Sequence, residues 1–234
     1  MVRVTDETGN GDDSVNGPRR SGLVQERSRN TRRELVRTAL ALWAERGFES
    51  GVEDTTVEEI ARAAGVTKGT FYFHFAHKED ILLEIGWAAA EAMVRESRGA
   101  MQQERSAVEV VDALLSSLAR RVARTPRAAI IRSVGEFARR SHDMPSRPDG
   151  VQRFQDAFAT IVTYAIERGD LPSAVDAEDL ATLLQAATMD TLQRWANSGD
   201  SATALRARLQ RRAEVILSGA SVVYAWRSPG RTGN

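Results

Sequence analysis

The run Thr67-Lys68-Gly69-Thr70-Phe71-Tyr72-Phe73-His74 carries hydrogen-bonding chemistry and no bond-making chemistry. The major groove of B-DNA admits one helix, and short or flexible polar groups in its first turns can reach base edges. Lys68 can donate to guanine or to phosphate, Gly69 lets the backbone approach closely, and Thr70 offers a hydroxyl and a methyl group that suits thymine. Tyr72 and His74, a turn later, can donate to phosphate, and Lys78 can do so from the following segment. Phe71 and Phe75 read as core anchors of the same helix. With Thr56, Thr67 and Phe73, the polar residues form the candidate nucleic-acid site. Elsewhere no nucleophile is paired with a base, no glycine-rich phosphate loop occurs and no cofactor is expected. His74 and His77 are three apart, but the chain has only three histidines and no cysteine, so no metal is assigned.

Helices must position these groups. Thr56-Val57-Glu58-Glu59 is a capping box, in which the threonine hydroxyl and the third-following glutamate satisfy orphan amides reciprocally. Ile60, Ala61 and Ala64 give this short helix its buried side. Gly65 and Val66 make a turn, and Thr67 can cap the helix that follows, which completes a helix-turn-helix layout. A preceding helix is predicted over 31–46, with Leu35, Ala39, Leu42 and Trp43 at helical spacing and Gly47 as its stop. A long helix opens at His77-Lys78-Glu79-Asp80 and runs to about Gln103, with Ile81, Leu82, Ile85, Ala89 and Met93 as its apolar stripe. Further helices are predicted over 106–124, 127–140, 149–168, 176–197 and 201–226. The class is all-α: a three-helix head at 28–76 followed by a larger bundle at 77–227, about nine helices in total.

Composition bounds the function. The chain has 234 residues, 42% of them hydrophobic and 27% charged, with a formal net charge of zero, so any contact with DNA must come from local placement of charge. The absence of cysteine removes disulfides and thiol chemistry and suits a reducing cytoplasm. No apolar stretch suits a signal peptide or a membrane span, so a cytoplasmic location and no membrane partner are expected. Residues 1–27 lack apolar periodicity and read as a flexible tail, as do residues 228–234. Arg19, Arg20, Arg27, Arg29, Arg32 and Arg33 form a basic stretch that either follows the DNA backbone or simply keeps the tail solvated.

The segment TTVEEIARAAGVTKGTFYFHFAHKEDIL resembles the signature of the TetR (tetracycline-repressor-like) family of transcriptional regulators, and TRRELVRTALALWAERGF resembles that family's first helix. The resemblance covers about residues 31–86. The chain departs from the family's usual short link at residues 49–54, where Glu49, Glu53 and Asp54 bring negative charge towards the place expected for phosphates. The insertion ends directly before Thr56, where the resemblance implies a phosphate contact. The resemblance implies a homodimer on a palindromic operator, repression, and release by a small-molecule effector bound in the body. Trp87, Met93, Phe137, Phe154, Phe158, Gln185 and Met189 are candidates for that pocket, against the simpler reading of core packing. Leu184, Trp195, Leu209, Ile216 and Val223 on the last two helices are candidates for a four-helix dimer interface. Two other readings stay open: an architectural or division-associated DNA-binding factor without an effector, and an all-α small-molecule-binding protein or enzyme with a vestigial head.

Overall fold

Two apolar clusters, joined by one long helix, organise the molecule in a computed structural model that describes residues 17–140 and 154–227. Among the described residues there are ten helices and no strand. They are α1 (Gly17–Arg46), α2 (Gly51–Asp54), α3 (Val57–Ala63), α4 (Lys68–His74), α5 (Asp80–Gln102), α6 (Ala107–Val122), α7 (Arg127–Arg139), α8 (Phe154–Glu167), α9 (Ala177–Ser198) and α10 (Ala202–Arg227). The first cluster holds the head together: Leu35, Ala39 and Trp43 of α1 close on Ile60 and Ala61 of α3, Phe71 of α4, and Ile81 and Leu82 of α5. The second cluster fills the body between α5, α6, α8, α9 and α10. α7 belongs to both, because Ala129 packs into the head cluster while Ile130 packs into the body.

The all-α class stands, and the tenth helix is the single turn α2, formed by the residues inserted between α1 and α3. Its side chains explain why the insertion folds instead of looping out. Val52 is fully buried in the head cluster, and Gly51 sits so close to α1 that a Cβ there would lie 3.1 Å from the Trp43 carbonyl oxygen. The fully buried Thr55 donates its hydroxyl to the Gly51 carbonyl at 2.6 Å.

The reading of residues 1–27 as flexible is corrected over residues 17–27, which are the start of α1. Leu23 and Val24 there are 56% and 65% exposed, so burial does not drive this extension. Once Leu35, Ala39 and Trp43 fix the helix, each added turn of good helix formers such as Leu, Gln, Glu and Arg gains hydrogen bonds without a new nucleus. Residues 1–16 and 228–234, the rest of both tail assignments, lie outside the described residues, as does the start of the helix expected over 149–168.

Candidate nucleic-acid interface

The capping box forms as read. The Thr56 hydroxyl accepts the Glu59 amide at 3.2 Å, and the Glu59 carboxylate accepts the Thr56 amide at 2.8 Å. Arg46 of α1 adds an ion pair to Glu59 at 2.7 Å, which ties α3 to the first helix. The Arg46 guanidinium, then the Thr56 amide and hydroxyl, hold the Glu59 carboxyl down from 4.5 to about 2. A carboxyl depressed on folding stabilises above its unfolded pKa, and that contribution is lost as pH falls through the folded one. The α3 cap is therefore expected to persist at pH 5 and its titration, read from the Thr56 amide shift by NMR, to centre at about pH 2; Glu59→Gln should abolish that titration.

Gly65, at φ +70°, turns the chain into α4, where Thr67 accepts the Thr70 amide at 3.1 Å. Phe71 is fully buried and Phe75 is 2% exposed, which fixes one face of α4 against the head core. The opposite face points outward with Lys68, Gly69, Tyr72 and Phe73 on it, and Tyr72 and Phe73 are 49% and 77% exposed. Lys68 is paired with Glu58 of α3, and its ammonium lies 5.9 Å from the centre of the Tyr72 ring. Exposed Arg62, in the last turn of α3, adds a cation that sequence reasoning missed.

The other candidates are placed differently. Thr67 and Thr70 share a hydroxyl hydrogen bond at 2.9 Å, so the pair keeps one hydroxyl hydrogen to offer outward. Thr56 is exposed, but its hydroxyl both accepts from and donates to Glu59, which makes it a cap before it is a phosphate ligand. His74 is half-buried, and burial followed by repulsion from Arg32 pushes its imidazole below the ordinary value, so it presents a neutral ring at pH 7. Lys78 is engaged within the head. Its ammonium donates to the Glu53 carbonyl at 2.9 Å and to the Thr55 carbonyl at 2.8 Å, pinning the insertion to the start of α5. Arg32, read as part of a basic arm, is also internal, with its side chain 11% exposed and ion-paired to Glu84 of α5 at 2.6 Å.

In the body, Trp87, Phe137, Phe154 and Met189 line one cavity of about 50 Å³ between α5, α7, α8 and α9. Among the described lining residues Ser133 alone bears a hydroxyl and none has a charged or amide side chain, and the Ser133 hydroxyl is already donated to the Leu82 carbonyl at 2.9 Å. Met93 and Phe158 are core residues away from this cavity, and half-buried Gln185 lies outside it. The candidate dimer residues differ in burial. Leu184, Trp195 and Leu209 are at most 3% exposed and belong to the subunit's own core. Trp195 is further held by Arg127 at 4.0 Å over its ring and by an indole hydrogen bond to the Ser201 carbonyl at 3.0 Å. Ile216 is half-buried and Val223 is 47% exposed; the outward apolar residues of α9 and α10 are Leu183, Val215, Val222 and Val223.

A short helix, a glycine turn and a second helix anchored by buried aromatics define a helix-turn-helix protein with an all-helical body. Residues 35–85 match the family model described as bacterial regulatory proteins, tetR family. TcmR, an HTH-type transcriptional regulator of Streptomyces glaucescens, is 37% identical over 151 residues, 56% of this chain and 62% of that protein. TtgR, an HTH-type transcriptional regulator of Pseudomonas putida, is 28% identical over 190 residues, 76% of this chain and 86% of TtgR. The match to AcrR of Shigella flexneri spans only 32% of that regulator, so the chain covers less than two thirds of TcmR and AcrR. The crystal structure of the TetR-family repressor FadR of Thermus thermophilus in complex with lauroyl-CoA superposes with a TM-score of 0.63 at 26% identity, covering 87% of this chain and all of that one. Residues 35–85 are thus similar to the DNA-binding segment of the tetR family of bacterial regulatory proteins, and the described helices share the fold of a TetR-family repressor.

Proposed function

We propose that this protein is a transcriptional repressor that binds a palindromic DNA operator as a two-fold dimer and is released by an apolar small-molecule effector, acting in the cytoplasm and catalysing no reaction. The observation that carries the reading is the outward face of α4, whose exposed Lys68, Gly69, Tyr72 and Phe73 stand on buried Phe71 and Phe75. The relatives support it: TcmR and TtgR are transcriptional regulators and the Thermus FadR is a repressor. No described helix is long and apolar enough to cross a membrane.

The cavity supports the effector class. Its described lining is predominantly apolar, so it suits hydrocarbon or aromatic surface, as the acyl chain of the lauroyl-CoA bound by the Thermus FadR would provide. At about 50 Å³ it is well below the roughly 300–1,000 Å³ of a site that holds a drug-sized ligand. An effector of that size would enter this cavity only in a second, wider arrangement, and a difference in affinity between the two arrangements is what an effector needs to shift DNA binding. α7 is the element through which such a shift would reach the head. Ser133 is bonded to α5, Ala129 packs into the head cluster, and Arg132 is ion-paired to Glu53 of the insertion. Selection of duplexes from a random pool, followed by titration of the bound complex with lauroyl-CoA and other apolar compounds, tests both halves. No enriched duplex would sink the DNA reading, and an affinity indifferent to every compound would leave a constitutive regulator. Glu53→Gln is expected to leave DNA affinity no weaker while weakening the response to an active compound.

The dimer face is assigned to Leu183, Val215, Val222 and Val223. Val215 and Val222 are 68% and 69% exposed and sit two helical turns apart on one side of α10. Val215→Glu with Val222→Glu is expected to convert a dimer to a monomer by light scattering at micromolar concentration and to lower operator affinity at least tenfold. A wild-type protein that is already monomeric would refute this assignment.

A further inference from the structure

We infer that Phe73 reads the 5-methyl group of a thymine at one fixed position of each operator half-site, an inference that rests on α4 being the groove-entering helix. Phe73 is 77% exposed, the most exposed large hydrophobic side chain among the described residues. Its one ring contact is edge-on to His74, with centroids 5.0 Å apart. A single exposed apolar residue is ordinary on a protein surface, so the position has to carry the argument.

Successive residues of a helix are rotated by about 100°, which places Gly69 and Phe73 about 40° apart and both nearly opposite Phe71. Phe71 is fully buried, so the Gly69–Phe73 line is the outermost line of α4. Helical side chains lean towards the N-terminus, so Phe73 flanks the turn holding Gly69 without filling the space above it. A Cβ on Gly69 would meet only the Thr67 hydroxyl, at 3.7 Å, so the space above the glycine is open. The result is an apolar shelf along the middle of a face whose flanks are polar: Lys68 and Tyr72 on one side, the shared hydroxyls of Thr67 and Thr70 on the other. A phenyl ring cannot hydrogen-bond to a base edge. In the major groove the group that it can recognise is the thymine methyl, which adenine, guanine and cytosine lack.

The test uses the full-length protein and the duplex enriched from a random pool. Each thymine of the enriched site is replaced singly by deoxyuridine, which removes the methyl and leaves every hydrogen-bonding group. Burying one methyl is worth about a fourfold change in affinity per half-site. Wild type is expected to lose about fourfold at one thymine per half-site, and Phe73→Ala to bind thymine and deoxyuridine equally there. Phe73→Leu, which keeps an apolar side chain, should retain part of the preference. Tolerance of deoxyuridine at every position by wild type, or an unchanged thymine preference in Phe73→Ala, overturns the inference while leaving DNA binding intact. Failure to enrich any duplex overturns the DNA reading and this inference with it. Equal helical content of the variants by circular dichroism confirms that each has folded.

Discussion

Arg32→Ala is expected to destabilise the protein by about 3–5 kcal/mol, the range for removing one partner of a buried ion pair. Arg32 and Glu84 have side chains only 11% and 9% exposed, so solvent screens their attraction little. The guanidinium meets the Glu84 carboxylate through two nitrogens, at 2.6 and 2.8 Å, and its third nitrogen caps the His74 carbonyl at the end of α4 at 2.6 Å. It also lies 4.1 Å from the centre of the Phe75 ring. One substitution thus strips the buried carboxylate of this partner, exposes the C-terminal carbonyl of α4 and removes a cation–π contact. For a chain of this size the expected fall in Tm is roughly 6–20 °C, measured by calorimetry. Replacing both partners by apolar residues of similar volume, Arg32→Met with Glu84→Leu, should cost less, because neither charge is then buried. A single-substitution loss below about 1 kcal/mol, the worth of an exposed pair, would show that Arg32 is not a structural strut.

Lys68→Ala and Glu58→Gln are expected to move DNA affinity in opposite directions. Residues 28–76 carry seven Lys or Arg and seven Asp or Glu, so attraction to DNA depends on which charges face it. Lys68 faces outward but is paired with Glu58, whose carboxyl is lowered chiefly by that lysine. Binding must exchange this pair for a base or a phosphate. Removing the lysine should weaken binding by roughly 5- to 150-fold, the 1–3 kcal/mol of a good base contact. A phosphate contact would instead weaken all sequences alike and reduce the salt slope by about 1 for each protomer. Neutralising Glu58 frees the ammonium and removes a negative charge from the DNA side, so affinity should rise severalfold. Binding isotherms over a range of salt separate these outcomes, and a Glu58→Gln variant that bound more weakly would mean that the pair positions Lys68 instead of restraining it.

What could be read in advance follows the range of the interactions. The capping box at Thr56, the Thr67 cap and the glycine turn are made within four residues, and each formed where its residues predict it. The roles of Arg32 and Lys78 are long-range. Beside a helix-turn-helix both look like phosphate ligands, and only the fold shows that Glu84 and the insertion's carbonyls hold them. The apolar stripes of α9 and α10 were visible too, but a stripe does not say which body it packs against. Leu184, Trp195 and Leu209 turned inward because each helix first covers its own subunit's core. The start of α1 was missed because a helix extended from a fixed core needs no apolar periodicity of its own.

The insertion at residues 49–54 restricts how interchangeable the two halves of this protein are. Arg46 and Lys78 grip its carbonyls from within the head, but Glu53 reaches Arg132 on α7, in the body. A chimera that joins this head to the body of a relative without an arginine at that place would keep the DNA-reading face and lose the clasp. Exchange of bodies by recombination therefore has to carry Arg132 along, or give up this ion pair between α7 and the insertion.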